Sequence, residues 1–391
     1  MHQKLSHLTS KQVSELMKRY YEEGEKIASL ISDFRLDMNP GTLVGTFSPY
    51  IHDDQYCPYC EDQNLISKRL SRDHGIWAVG KPHCPSCNHS ERERCSCNNC
   101  LKSKERIIQK RNDVKREIIE NNYGQYYGPS PDINELSLKD SLYLLSVLRH
   151  SLSEDFYSVQ PFNDHHLLLA PTYDYLDEIT QHLYSKKLIS ISRDSDINSF
   201  VFDDELTKTT GYYPTRVIWE FLPSMLDGEK RMYMRELDTL VKSKKWPASW
   251  ESGKDSLWRH IAKYECLEYY SYLLKERGYE QEDFGPKTHH VFEVMLERFS
   301  VSQIFNMSWQ AVRDTTDYIV KKGLPKYHAK NSFIGAIERK SDKALAEGWK
   351  VRFSRRDFNC PQTVVSSTFF DVFLGLGQSA FDTVPHTTEK N

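Results

Sequence analysis

The sequence predicts a mainly α-helical, multidomain chain, interrupted near its start by one segment that cannot fold around an aliphatic core. Three observations lead there. Apolar residues recur at helical spacing through most of the 391 residues. Seven of the nine cysteines crowd between Cys57 and Cys100. A run of turn formers, Asn121 to Pro131, separates that segment from the rest. With 39% hydrophobic and 27% charged residues the chain is polar but foldable, and it is long enough for several cores. No run is long and apolar enough to span a membrane. The polar start Met1-His2-Gln3-Lys4-Leu5 lacks the apolar core of a signal peptide. The expected compartment is the cytoplasm, with no membrane partner.

Residues 1–50 read as three helices. Ser10 is placed to cap the first, in which Val13, Leu16, Met17 and Tyr20 repeat at helical spacing. Gly24 breaks it, and Ile27, Leu30 and Ile31 mark a short second helix. Asn39-Pro40 looks like a cap followed by proline in the first turn, opening a third helix through Phe47. This arrangement resembles the helix-turn-helix of recombinases and many small DNA-binding proteins. The resemblance implies that Thr42, Leu43 and Thr46 lie on the helix entering the major groove.

Residues 51–120 form the cysteine-rich module and a basic helix leaving it. Cysteines this dense in a reducing compartment point to metal rather than disulfides. Cys57-Pro-Tyr-Cys60 and Cys84-Pro-Ser-Cys87 are turns that let paired thiolates face one ion, and two such turns close a tetrahedral site of the kind zinc prefers. Twenty-three residues lie between Cys60 and Cys84, room for the strands of a zinc ribbon at Leu65–Leu70 and Gly75–Val79. Cys95-Ser-Cys97-Asn-Asn-Cys100 supplies a third turn, which His83, His89 or His74 would complete as a second site. One or two zinc ions are expected, and spacing alone leaves the pairing open. The motif-level resemblance, a zinc-ribbon-like module behind a helix-turn-helix, covers about residues 10–105.

The order Cys57/Cys60, Asp73-His74, Asn88, Cys97/Cys100 and Lys104 also resembles that of zinc-containing HNH endonucleases. The resemblance implies His74 as general base beside a catalytic cation. Two features depart from it: the extra Cys84/Cys87 turn, and Leu101 where that family has Asn or His after the last cysteine.

After a linker at 121–136, residues 137–210 read as helices at Leu138–Leu148 and from about Asp174, then β-like runs Leu188–Ser192 and Ile197–Phe202. Helices followed by a hairpin look like a winged helix, although Asp174, Asp177 and Glu178 on the expected recognition helix disfavour phosphate. Residues 211–391 read as an aromatic-rich helical domain whose tryptophans and tyrosines form core. Gly375-Leu-Gly377-Gln-Ser-Ala380 has the letters of a dinucleotide-binding turn but sits too near the end for a βαβ unit, and reads as a helix end. The adjacent pairs His165-His166 and His289-His290 lack the spacing of helical metal ligands.

The net charge of -3 conceals two basic stretches. Residues 66–116 carry thirteen Lys/Arg against five acids, and 321–356 carry eleven against three. Such clusters attract polyanions. Lys102, Lys104, Arg106, Lys110, Arg111, Lys115 and Arg116 are the expected phosphate contacts. The expected function is zinc-stabilised nucleic-acid binding, with DNA the first candidate and RNA the second, and with protein partners or self-association through 137–391. A nuclease of the HNH kind and a zinc-stabilised protein scaffold are the rival readings.

Overall fold

Thr9, rather than Ser10, starts the first helix: its hydroxyl accepts from the Gln12 amide, and the Gln12 side chain accepts from the Thr9 amide at 2.8 Å. This helix, α1 (Ser10–Tyr21), buries Val13, Leu16, Met17, Tyr20 and Tyr21 on one face. Gly24, at φ +65°, turns the chain into α2 (Ile27–Asp33), and Arg19 ties the two by pairing with Glu25 at 2.7 Å and Asp33 at 2.6 Å. The computed structural model describes residues 2–60, 62–90, 95–123, 129–154, 158–164, 166–279 and 284–385, with backbone alone at 164 and 326–331.

The third helix expected at 40–47 does not form. Pro40–Thr42 and Val44–Thr46 are separate 3₁₀ turns. Gly41 and Gly45 explain this, since two glycines in so short a stretch remove the backbone preference that the proline start would have used. Leu43 and Thr46 are buried, and the Thr46 hydroxyl donates to Leu43 O. The exposed Thr42 donates to Asn39 O. The segment therefore has no recognition helix.

Two strands follow, β1 (Tyr50–Tyr56) and β2 (Asn64–Ser67), antiparallel with Tyr50 opposite Ser67. Single bridges from Ile66 to His83 and from Arg69 to Val79 extend the ribbon. Trp77 stacks on Tyr21 with ring centroids 4.8 Å apart, and Arg72 donates to the carbonyls of Tyr20 and Glu25. Helical cap and ribbon thus belong to one unit, Met1–Asp113. The long helix α3 (Asn98–Tyr123) contains the boundary with the second unit, Val114–Asn391.

In the second unit, α4 (Leu138–Ser151) opens on a Ser137–Asp140 capping box. It is followed by β3 (Ser158–Val159), α5 (Tyr173–Ser185), β4 (Ile189–Ile191), β5 (Phe200–Phe202), β6 (Thr209–Tyr212) and β7 (Trp219–Phe221). Helices complete it: α6 (Asp227–Ser243), α7 (Ala248–Lys275), α8 (Pro286–Met295), α9 (Val301–Lys322), α10 (Lys326–Ala346), α11 (Val364–Ser367), a π-helical turn at Thr368–Phe373, and α12 (Ser379–Asp382). Burial on every side, from Trp250 through Tyr264 and Tyr269 to Leu274, makes α7 the central helix.

The expected hairpin between Leu188–Ser192 and Ile197–Phe202 is absent. Strand β4 pairs with β7, which also pairs with β3, while β5 pairs with β6. Ser195 redirects the chain: its hydroxyl donates to Ser192 O and accepts from the Ile218 amide, which ties the connection to the β7 side. The winged-helix pattern is therefore not the one these strands make. The boundary expected at 211 falls within β6, and one core extends from Ile119 to Phe381. Gly375 and Gly377 adopt positive φ in the turn after the π-helical residues, where a side chain would be strained. The centre of the 121–136 linker and His165 lie outside the described residues.

Two carboxylate–histidine pairs link the helices. Asp140 meets His182 at 2.6 Å, and Glu178 meets His260 and Lys139, each at 2.8 Å. Burial raises both carboxyls, but hydrogen bonds with His182 and Ser137 bring Asp140 to about 2, and those with His260 and Lys139 bring Glu178 to about 2. Depressed folded values stabilise the fold above the unfolded pKa, near ~4, and lose that contribution as pH falls further. An acid titration followed by near-ultraviolet circular dichroism should show this unit loosening between about pH 4 and pH 2. Asp140→Asn should weaken that dependence; an identical acid transition in the variant would contradict the assignment.

Candidate metal centres

The core of the cysteine segment is sulfur. Among the described residues, the buried apolar ones around the ribbon are Leu65 with Cys57 and Cys84, and around the third turn they are only Cys95, Cys97 and Cys100. The cysteines gather with one histidine into two groups, Cys57/Cys60/Cys84/Cys87 and His89/Cys95/Cys97/Cys100, whose ligand atoms all lie within 4.8 Å of one another.

Each half of the first centre is a knuckle. In one, the Cys57 amide donates to Gln63 O and the Gln63 amide to Cys60 O. In the other, the Cys84 amide donates to His89 O and the Asn88 amide to Cys84 O. Asp62 and Asn88 take positive φ to make the returns. Cys57 and Cys87 Sγ stand 3.6 Å apart. Four sulfurs at the usual ~2.3 Å from zinc would be ~3.8 Å apart, so a tetrahedron of that size fits. In the second centre His89 Nδ1 lies 3.3 Å from Cys100 Sγ and 3.8 Å from Cys97 Sγ. These values bracket the ~3.6 Å expected for a nitrogen and a sulfur on one zinc.

Backbone amides are aimed at the sulfurs. Burial pushes the Cys84 thiol up, but amides of Cys87 and Ser86 outweigh it and draw the thiol down to about 7. Amides of Cys97 and Ser90 draw Cys95 to about 6. Cys87 is pushed up to about 12, first by burial. Crowded thiols cannot all ionise beside one another, and a thiophilic dication removes that conflict. Both donor sets are closed, with four soft or borderline ligands each, the chemistry of a structural site.

No protein-family model matches the chain, and no solved structure matches it. It is 39% identical over 51 residues to an uncharacterized protein of Rickettsia conorii, a match spanning 13% of this chain and 61% of that protein.

The pairing decides among the sequence readings. His89 joins the third turn, whereas His83 and His74 do not. His83 instead bridges Ile66 and lines a polar cleft of about 430 Å³ with Lys68 and Lys81. His74 is exposed and its Nδ1 meets Ser71 Oγ at 3.1 Å. An HNH-type zinc site would join Cys57/Cys60 to Cys97/Cys100, and these turns lie in different centres. Tyr59 went unread in the sequence. It sits inside the first knuckle, yet its hydroxyl is 3.6 Å from Cys100 Sγ and its ring packs edge-on against His89 at 5.1 Å.

Helix α3 begins directly on Cys97-Asn98-Asn99-Cys100. Lys102, Lys104, Arg106, Lys110 and Arg111 are exposed, with no ion pair among the described residues. Two expected phosphate contacts are engaged elsewhere. Lys115 lies over the Phe202 ring at 5.0 Å, and Arg116 donates to the carbonyls of Arg193 and Ser195 at 2.8 and 3.0 Å. No helix among the described residues is long and apolar enough to cross a membrane.

Proposed function

We propose that the N-terminal unit is a two-zinc module that binds nucleic acid, DNA first, through the exposed half of α3. One observation carries this: five basic side chains with no ion pair among the described residues stand on a helix whose first turn is also a metal-ligand turn. The zinc would fix the helix start, and the helix would present the charge. Lys68 and Lys81 in the polar cleft add positive charge to the same unit. The buried Thr46 supports no base contact, so phosphate contacts dominate the reading.

Changing Lys102, Lys104, Arg106, Lys110 and Arg111 together to Gln should weaken duplex binding and flatten its salt dependence by about 0.9 in the log–log slope for each lost contact. Binding with an unchanged slope, in protein that keeps its zinc, refutes the reading. Leu101, Ile107 and Ile108 are also exposed on this helix, at 44%, 65% and 59%, which favours protein docking as the second reading. Ile107→Ser with Ile108→Ser should leave DNA binding intact and disrupt only such docking.

A further inference from the structure

We propose that the cleft between α9 and α10 binds a nucleotide, with the base against aromatic side chains and the phosphate held by Arg339. The cleft measures about 610 Å³ among the described residues, within the usual range for small ligands, about 300–1,000 Å³. Ile319 and Ala336 give it an apolar lining. Tyr318 and Trp349 line it too and are 57% and 43% exposed, which leaves Tyr318 and the Trp349 face not covered by Lys343 as aromatic surface for a flat partner.

Charge narrows the choice of ligand. Arg339, Lys340 and Lys343 line the cleft against one acid, Asp314. That acid is already engaged with Arg313 at 2.7 Å and Lys340 at 3.5 Å. Lys343 lies over the Trp349 ring and 3.8 Å from Glu347. Arg339 has no ion pair among the described residues. Gly335 gives its guanidinium space one turn earlier: a Cβ there would stand 3.3 Å from Arg339 Nη1. A guanidinium with free donors is suited to a phosphate's paired oxygens.

The surrounding segment, 321–356, carries eleven Lys/Arg against three acids and so attracts anions. An uncharged apolar ligand would leave Arg339 unpaired. Inorganic phosphate would leave both aromatic walls unused. A base joined to a phosphate uses both features. That chemistry is offered by a free nucleotide and by one residue of a single strand. The site involves neither the metal centres nor α3.

Calorimetric titration of the full-length, zinc-loaded chain tests the proposal, in the background with α3 neutralised so that strand binding there does not interfere. Adenosine monophosphate should bind, and adenosine and inorganic phosphate should each bind at least about tenfold more weakly. Arg339→Ala and Trp349→Ala should each weaken the nucleotide about tenfold or more. Arg355→Ala, in the same basic segment but outside the cleft, should change nothing. A short single-stranded oligoadenylate that binds more tightly than the mononucleotide, and that also depends on Arg339, identifies a strand as the source. Equal or weaker oligonucleotide binding identifies the free nucleotide. No binding of adenosine monophosphate at millimolar concentration overturns the site. So does binding indifferent to both Arg339 and Trp349, or phosphate alone binding as tightly as the nucleotide.

Discussion

Protein purified without chelator should contain two zinc ions per chain, and removing them should unfold the cysteine-rich segment of the first unit while leaving the second unit folded. The expected effect is large because metal replaces a core here. Among the described residues, Leu65 is the only buried aliphatic side chain among the cysteines of the first centre, and the second has none. A segment that buries so little carbon cannot offset its own chain entropy. Structural zinc contributes about 10–16 kcal/mol to such folds near neutral pH. Cys84→Ser removes a fully buried ligand of one centre, and Cys97→Ser removes one from the other. Limited proteolysis should then cut between about residues 50 and 100 and spare a fragment beginning within α3, whose later turns belong to the second unit. Elemental analysis finding less than one zinc per chain would reject the assignment. Unchanged protease resistance in the Cys84→Ser/Cys97→Ser protein would reject it equally.

The second large effect concerns a buried ion pair in the second unit. Glu265 and Arg356 meet at 3.0 Å with only 2% and 13% of their side chains exposed. Ser366 donates to Glu265 Oε1 at 2.7 Å, and the Arg356 guanidinium sits over the Phe381 ring at 4.4 Å. The pair therefore connects α7 to the 350s segment and to the last helices. Glu265→Ala leaves a buried guanidinium without its counter-charge, which costs about 3–5 kcal/mol. Glu268 is the neighbouring acid able to ionise in its place, since burial and then the charge of Glu265 hold its carboxyl up at about 8. Adding Glu268→Gln closes that route. Chemical denaturation should show the loss in the midpoint. The charge-free Glu265→Leu/Arg356→Met protein should recover much of it. Less than about 1 kcal/mol lost in Glu265→Ala/Glu268→Gln would mean that the pair is not the tie described.

Much of the metal chemistry was legible from spacing, because two cysteines separated by two residues make a local turn whatever surrounds them. The joining of the first two turns was the favoured pairing as well, and only the histidine that completes the third turn was left open. Cys84/Cys87 joins Cys57/Cys60 as the paired turns predict, while His89 rather than His83 or His74 joins the third turn because the ribbon folds back in space. The helix-turn-helix expectation rested on the Asn39-Pro40 signal and underweighted Gly41 and Gly45. The winged-helix expectation treated two β-prone runs as each other's partners. Their true partner strands lie further along the chain, at Trp219–Phe221 for β4 and Thr209–Tyr212 for β5. Charge along α3 read as uniform, and only tertiary contacts distinguish Arg116, held by two carbonyls, from the open Lys102. The nucleotide cleft had just one foreshadowing, the basic composition of 321–356.

His89 serves both centres at once. Its carbonyl accepts from the Cys84 amide and so shapes the first knuckle, while its ring supplies a ligand to the second. Tyr59 reinforces the link from the opposite direction. An ion at either centre fixes a residue the other needs, so the entropy of ordering that residue is spent on the first ion and spared for the next. Under metal scarcity a population of these chains would divide into filled and empty molecules, with few caught half-loaded.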